Sequence, residues 1–173
     1  MTTTAVRRHV TGLQGQLTDG EFGQFRALMY SLAGISLSDA KKQLVAGRLA
    51  RRLRQLDLDG YGSYLQRVQA DAGERQIAVD LLTTNETYFF REPKHFDFLR
   101  SHALPELKGQ STVRVLSGAC SSGEEPYTIA MVMAEVLGGR PWEIVASDLS
   151  TRVLTHAREG RYPMEDAAGI PRP

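Results

Sequence analysis

Apolar residues recur at helical spacing through the first half of the chain. Thr18 and Glu21 have the spacing of a capping box, which predicts that a helix begins there, and Gly34 is a suitable end. A second helix is predicted from near Ser38 to about Leu56. Two more helices carry the apolar positions Tyr61, Tyr64, Leu65 and Val68, and then Ile77, Leu81 and Leu82. Four short helices with tight connections predict a small bundle.

A different pattern begins after about residue 110. Residues 113–116 have the composition of a buried strand, and a glycine-rich turn at 117–123 leads from them into a helix. A second strand is predicted at 143–148 and a last helix at about 151–159. This order is the opening of a doubly wound α/β fold. The predicted fold class is therefore α/β for the C-terminal part, an incomplete Rossmann-like fold, preceded by an all-α domain.

These patterns divide the chain into four parts. We expect a flexible tail at 1–16, a helical domain at 17–82, a linker with a bridging helix at 83–109, and the first βαβα part of an α/β domain at 110–173. The bridging helix is predicted to begin at Pro93, because proline suits the first turn of a helix.

Composition and charge limit the classes of protein to which the chain can belong. Of the 173 residues, 42% are hydrophobic, which is enough for a packed core, and the net charge of +1 gives no reason to expect nucleic acid. The single cysteine, Cys120, excludes an internal disulfide. No apolar run reaches the ~18 residues of a membrane span, so we expect a cytoplasmic protein without membrane insertion. The histidines lack ligand spacing, and no metal site is predicted.

The glycine-rich turn is the strongest local signal for a ligand. A strand that leads into such a turn and then a helix allows close approach of the backbone and directs N–H groups at a ligand. Ser122 and Glu125 have capping-box spacing, so an ordinary helix cap is the alternative.

An acidic residue at the end of the second predicted strand adds to this signal. Asp148 can accept hydrogen bonds from both hydroxyls of a ribose, or it can cap the next helix. Turn and acid together favour a nucleoside-containing cofactor. The turn is not G-x-G-x-x-G, which makes S-adenosylmethionine a better candidate than a dinucleotide, and without a Walker A lysine loop ATP is disfavoured.

The most distinctive stretch is residues 83–93, with the sequence TTNETYFFREP. A linker whose aromatic residues fill a seam explains part of it, but not Asn85, Thr87 and Arg91. Together with residues 117–127 and the segment that follows Asp148, this stretch closely resembles the CheR chemotaxis methyltransferases. Those enzymes methylate glutamates on bacterial chemoreceptors. The resemblance runs from about residue 18 to the end of the chain.

This resemblance implies a helical N-terminal domain, followed by a domain that binds S-adenosylmethionine and contains an inserted β-subdomain. It also implies that Asn85, Thr87 and Arg91 reach the cofactor, that Glu125 binds its methionine end and that Asp148 binds its ribose. The product would be S-adenosylhomocysteine. A glutamate with a pKa of about 4.3 is already ionised at neutral pH, so the reaction needs no general base. Arg91 is our candidate catalytic residue, steering the substrate carboxylate, although it can equally be structural.

The second predicted helix is basic, with no acidic residue between positions 41 and 56. Its apolar residues fall within an arc of about 80°, so arginines cover the rest of its surface. A solvated charged face is one interpretation, and nucleic acid is disfavoured for a short helix in a near-neutral chain. The resemblance adds docking onto the carboxylate-bearing helices of a methyl-accepting chemotaxis receptor. The predicted docking residues are Arg48, Arg51, Arg52 and Arg54.

The sequence also departs from the family that it resembles. A complete domain of this family has a much larger sheet than the two strands predicted here. We therefore expect a C-terminally truncated enzyme that is inactive alone and binds its cofactor weakly or not at all. One alternative is a noncatalytic module that binds a chemoreceptor or another chain. The other is self-association through the exposed sheet edges.

Overall fold

The computed structural model describes residues 15–171 and divides into two compact units, the first ending at Leu82 and the second beginning at Thr83. Almost all of the predicted tail at 1–16 lies outside the described residues, which include only its last two positions.

The first unit is helical, as predicted. Its elements are α1 (Asp19–Ala33), a 3-10 turn (Asp39–Lys41), α2 (Lys42–Gln55), α3 (Tyr61–Ala70) and α4 (Ala72–Leu82). The predicted capping box is present at the start of α1. The hydroxyl of Thr18 accepts a 3.2 Å hydrogen bond from the Glu21 N–H, and the Glu21 carboxylate accepts one of 2.9 Å from the Thr18 N–H. Gly34 ends α1 with a φ of 66°.

All four α-helices contribute to one apolar core in this unit. The α2 positions Val45, Leu49 and Leu53 are completely buried, which confirms the predicted apolar side of the basic helix. Phe25 of α1 stacks on Tyr64 of α3 with 6.3 Å between ring centroids. Each fully buried aliphatic or aromatic side chain contributes about 1.5–3 kcal/mol, so this core is the main source of stability for the first unit.

The second unit contains the α/β part. Its elements are α5 (Pro93–Phe98), a π-helical turn (Leu99–Ala103), α6 (Leu104–Glu106), a 3-10 turn (Leu107–Gly109), β1 (Val113–Gly118), α7 (Glu124–Leu137), β2 (Trp142–Ser147), α8 (Thr151–Glu159) and a 3-10 helix (Met164–Gly169). A helix does begin at Pro93, as predicted. A helical unit followed by a βαβα unit confirms the predicted fold class.

The strands β1 and β2 pair in parallel, with Val113 opposite Trp142 and Leu116 opposite Val145. Val113 belongs to an apolar core that includes residues of α7, whereas Leu116 and Val145 are 69% and 52% exposed. Residues 113–116 therefore form a strand, as predicted, but the prediction that the strand is buried was wrong for one of its two faces. Within the described residues the sheet has only two strands, and burial alternates along β1 because only one face is covered.

Candidate functional site

The turn between β1 and α7 has an unusual backbone. Ala119, Ser121 and Gly123 adopt positive φ values of 62°, 50° and 104°. A non-glycine residue in this region costs about 1–2 kcal/mol. Such strain persists only where surrounding contacts enforce it, and it is concentrated at functional sites.

The end of β2 supplies part of that enforcement. The Cys120 N–H donates a 2.9 Å hydrogen bond to the carbonyl of Ser147, and the Ser121 N–H donates one of 2.9 Å to the Asp148 carboxylate. The Gly123 N–H donates to the Cys120 carbonyl at 3.0 Å. The expectation that the turn directs its N–H groups at a ligand therefore fails for these three groups, which bond within the protein.

The capping box predicted for Ser122 and Glu125 does not form. Gly123 occupies the N-cap of α7 without a side-chain hydrogen bond. The hydroxyl of Ser122 donates to the Glu124 carboxylate at 2.8 Å, and Glu125 accepts a 2.6 Å hydrogen bond from the buried hydroxyl of Ser117. Glu125 is thus oriented by the end of β1 and not by the cap of its own helix.

Three of the predicted cofactor residues line one cleft of about 520 Å³, which we call the Arg91 cleft. They are Thr87, Arg91 and Glu125, and the turn residues Ala119 and Ser121 line the same cleft. Its described lining carries the guanidinium of Arg91 and three acidic residues, Glu86, Glu92 and Glu125, of which Ser117 orients the last. A ligand that carries both an ammonium and a carboxylate group, as an amino acid does, matches the charges of Glu125 and Arg91.

Asn85 lies elsewhere, in a second cleft of about 470 Å³ that we call the His156 cleft. Ser122, Arg152 and His156 also line it. The side-chain nitrogen of Asn85 is buried and makes no hydrogen bond within the described part of the chain. Since Ser121 lines one cleft and Ser122 the other, the glycine-rich turn separates them, and Asn85 does not join Thr87 and Arg91.

Asp148 lines neither cleft but is joined to the turn between them. One of its carboxylate oxygens accepts from the Ser121 N–H at 2.9 Å and the other from the Ser150 N–H at 2.8 Å. Ser150 is the N-cap residue of α8, so the carboxylate does bond at the start of the next helix. Because each oxygen has a second lone pair, the same carboxylate can still accept hydrogen bonds from ribose hydroxyls.

The linker that carries Arg91 is fixed to α7. The Phe90 N–H donates to the hydroxyl of Thr128 at 3.2 Å, and that hydroxyl donates to the Glu124 carbonyl at 2.7 Å. The guanidinium of Arg91 donates a 2.6 Å hydrogen bond to the carbonyl of Glu86. One side of the guanidinium is therefore held by backbone, while the residue as a whole is exposed.

Two residues of this region were not singled out from the sequence. Ser117 orients Glu125, and the hydroxyl of Tyr162 donates a 2.7 Å hydrogen bond to the Ser122 carbonyl. A serine at the end of a strand carries no signal of its own. Tyr162 does have a signal in the sequence, because it is an aromatic residue just beyond Gly160, where the last predicted helix ends.

Two of the four predicted docking arginines on α2 bond within the first unit. Arg52 makes two hydrogen bonds, of 2.8 and 2.6 Å, to the carboxylate of Glu74, which is 3% exposed. Arg48 donates to the carbonyl of Leu82 at 3.1 Å. The prediction that all four arginines point outward is corrected for these two, and Arg51 and Arg54 are the exposed members of the set.

Two other features that would indicate a function are absent from residues 15–171. No helix there has the length and apolar content needed to cross a bilayer. Nor do those residues bring three or more histidine, cysteine, aspartate or glutamate side chains together in a position to hold a metal ion.

Comparison with protein families gives two matches, one for each unit. Residues 20–83 match the family described as CheR methyltransferase, all-alpha domain. Residues 85–173 match the family described as CheR methyltransferase, SAM binding domain, which indicates S-adenosylmethionine as the cofactor.

Curated relatives give the same result. The chain is 46% identical over 158 residues to chemotaxis protein methyltransferase 2 of Pseudomonas aeruginosa, covering 90% of this chain and 56% of the relative. It is 45% identical over 158 residues to the chemotaxis protein methyltransferase of Escherichia coli, covering 89% and 54%. For the Borreliella burgdorferi protein of that name the identity is 38% over 168 residues, covering 90% and 59%. The chain spans about half the length of these relatives.

Proposed function

The chain belongs to the CheR methyltransferase family, and we propose that it forms the helical domain and the cofactor-entry half of an enzyme that methylates glutamates of chemoreceptors. The convergence of Thr87, Arg91 and Glu125 on one cleft carries this proposal. These residues come from the linker and from α7, and the turn that borders the cleft is tied to Asp148.

We assign the methionine end of S-adenosylmethionine to the Arg91 cleft. The Glu125 carboxylate, oriented by Ser117, would pair with the ammonium group, and Arg91 and Thr87 would contact the same end. Asp148 would accept hydrogen bonds from the ribose. Asn85 would reach the cofactor from the His156 cleft, where its buried nitrogen has a donor to offer. The donor set thus fits a zwitterionic nucleoside.

The methyl transfer requires no general base from the protein. The bound cofactor supplies a methyl group on a positively charged sulfur. Transfer of that methyl group to a glutamate oxygen would break the carbon–sulfur bond and leave its electron pair on sulfur. No proton moves, because the carboxylate is ionised well above its pKa of about 4.3. The protein contributes alignment of the two reactants, which can supply several kcal/mol.

Arg91 is the residue that we propose for steering the incoming carboxylate. Its guanidinium has five N–H donors, and one nitrogen is held by the Glu86 carbonyl, which fixes the direction of the others. A positively charged group at the cleft would attract the substrate and hold its oxygen in line with the methyl carbon.

We further propose that α2 docks on the helices of the receptor through Arg51 and Arg54. Both side chains are exposed, and they lie one helical turn apart on the same face of α2. A methylation region bears carboxylates at intervals along a helix, which matches this spacing of positive charge. Arg48 and Arg52 are not part of this proposal.

For the 173-residue chain alone we propose weak cofactor binding, no methyl transfer and a tendency to self-associate. The exposed pair Leu116 and Val145 supports the self-association, since an apolar sheet face and open strand edges favour pairing with another chain. Sedimentation over a range of concentrations should therefore show association, and Leu116→Lys should reduce it. Monomeric behaviour of the wild-type chain at high concentration would contradict this part.

The cofactor assignment can be tested by titrating the isotope-labelled chain with S-adenosylhomocysteine while recording amide chemical shifts. We expect shifts at Thr87, Arg91, Glu125 and Asp148 at millimolar ligand. Adenosine is the matched control ligand, because it lacks the amino-acid end and should leave the Arg91 cleft unshifted. An absence of shifts at these residues would refute the assignment, and a submicromolar affinity by calorimetry would refute weak binding.

A further inference from the structure

A tyrosine beyond α8 contacts both segments that carry the proposed cofactor ligands. The hydroxyl of Tyr162 donates a 2.7 Å hydrogen bond to the Ser122 carbonyl, in the middle of the glycine-rich turn. Its ring meets the ring of Phe89 edge-on, with 4.9 Å between centroids. Phe89 is 5% exposed and belongs to the linker that supplies Thr87 and Arg91.

The packing around this tyrosine is tight. A Cβ atom at Gly123 would lie 2.5 Å from the Tyr162 hydroxyl oxygen and 2.9 Å from the Cβ of Ala157. The rings of Tyr127 and His156 contact the Tyr162 ring edge-on, at centroid distances of 5.7 and 5.6 Å. Burial raises the pKa of Tyr162, so the phenol stays protonated and remains a donor at neutral pH.

We propose that Tyr162 is a positioning residue, which holds the glycine-rich turn and the Phe89 linker in the arrangement that the cofactor requires. Tyr162 lines neither the Arg91 cleft nor the His156 cleft, so it acts through Ser122 and Phe89. The inference rests on the proposed function and extends it to a residue outside both clefts.

The backbone of the turn explains why such a hold is needed. Ala119 and Ser121 have positive φ, and residues in this conformation relax unless surrounding contacts prevent it. The Asp148 carboxylate holds the turn at the Ser121 N–H, and the Tyr162 hydroxyl holds it at the carbonyl of Ser122. Loss of the second contact would let the turn move, and the two clefts that it separates would change shape together.

The test compares two variants that each remove one hydroxyl from the same aromatic cluster. Tyr162→Phe removes the bond to the turn. Tyr127→Phe is the matched control, because the Tyr127 hydroxyl donates at 3.1 Å to the Ala157 carbonyl in α8 and not to the turn. Hydrogen exchange at the Ser121 and Gly123 amides is measured in the 173-residue chain. We expect exchange about five- to tenfold faster in Tyr162→Phe and unchanged in Tyr127→Phe.

Tyr162→Leu tests the contact with the linker. It removes the ring as well as the hydroxyl, so the Phe90 amide, which is bonded to Thr128, should also exchange faster than in Tyr162→Phe. Amides of α7 beyond its first turn should be unaffected in either variant, which separates local release of the turn from unfolding of the whole unit.

A second measurement concerns the cofactor itself. In the titration with S-adenosylhomocysteine, the apparent Kd of Tyr162→Phe should rise about fivefold, while that of Tyr127→Phe should not change. Equal affinity of the wild-type chain and Tyr162→Phe would overturn this inference alone. Equal exchange rates in the two phenylalanine variants would do the same. A wild-type chain without any ligand-induced shift would contradict the proposed function itself.

Discussion

Arg52 of α2 holds the buried carboxylate of Glu74 in α4 with two hydrogen bonds, and the hydroxyl of Tyr64 donates a third at 2.9 Å. Glu74 is 3% exposed, and each of its two carboxylate oxygens accepts at least one of these hydrogen bonds. The contact joins two helices through residues that are 22 positions apart in the sequence. Removing one partner of such a pair leaves an uncompensated buried charge. The loss of stability on removal is therefore larger than the net stability that the intact pair contributes.

Arg52→Ala is therefore expected to destabilise the first unit by about 3 kcal/mol. Native-state hydrogen exchange at the α2 amides would measure the loss. Arg51→Ala is the matched control, since it removes the neighbouring arginine, which is exposed, and should change stability by less than about 0.5 kcal/mol. Similar effects of the two substitutions would contradict the structural role of Arg52.

Stability of the first unit should also depend on pH through Glu74. Hydrogen bonds from Arg52 hold the pKa of this carboxyl below its ordinary value of 4.5, against the opposing effect of burial. The folded state therefore binds the proton less readily than the unfolded state does. The resulting stabilisation is fully present above about pH 5 and is lost as the pH falls through the lowered folded pKa. Urea unfolding between pH 7 and pH 3 should show this loss, and Glu74→Gln should have a shallower pH dependence.

Gly123→Ala should destabilise the second unit by about 1–3 kcal/mol, because φ is 104° and the new methyl group would contact Tyr162 and Ala157. The single tryptophan, Trp142 in β2, reports unfolding of this unit by fluorescence. Gly139→Ala is the control, since a Cβ there would have no neighbour within 4 Å. A stable Gly123→Ala protein would show that the turn is less constrained than its contacts indicate.

Charge reversal at Arg51 and Arg54 should weaken binding to the cytoplasmic helices of a chemoreceptor by about tenfold or more, with a larger effect at low salt. Fluorescence anisotropy with a labelled receptor helix bundle would measure this. Arg67→Glu tests an exposed arginine of α3 in the same unit and should have a smaller effect than Arg51→Glu. The amide shifts induced by S-adenosylhomocysteine should be unchanged. Loss of these shifts together with receptor binding would indicate misfolding.

The sequence predicted only some of the contacts within one helical turn, and it did not predict side-chain partners that are distant in sequence. The Thr18–Glu21 capping box formed because both groups lie within one helical turn. The same spacing at Ser122 and Glu125 gave no capping box, because Gly123 and not Ser122 is the N-cap of α7 and because Ser117, eight residues away from Glu125, binds its carboxylate. Spacing along one segment cannot reveal a competing partner on another.

The basic helix shows the same limit for charge. The absence of acids between positions 41 and 56 suggested a set of outward-facing arginines, but the counter-ion of Arg52 lies on another helix. The sequence predicted three residues of the Arg91 cleft, Thr87, Arg91 and Glu125. Their division from Asn85 was not, because it depends on how the turn at 119–123 folds between them.

The core of the first unit also has a consequence for synthesis on the ribosome. Among the described residues it is drawn from positions between Leu17 and Leu82, whereas β1 begins at Val113. At about 5–20 residues per second, the ribosome needs roughly 2 to 6 s to add the intervening segment. Helical bundles fold in microseconds to milliseconds. The first unit can thus begin to fold while the second unit is still being translated, so its apolar side chains can be buried before the two-stranded sheet is complete.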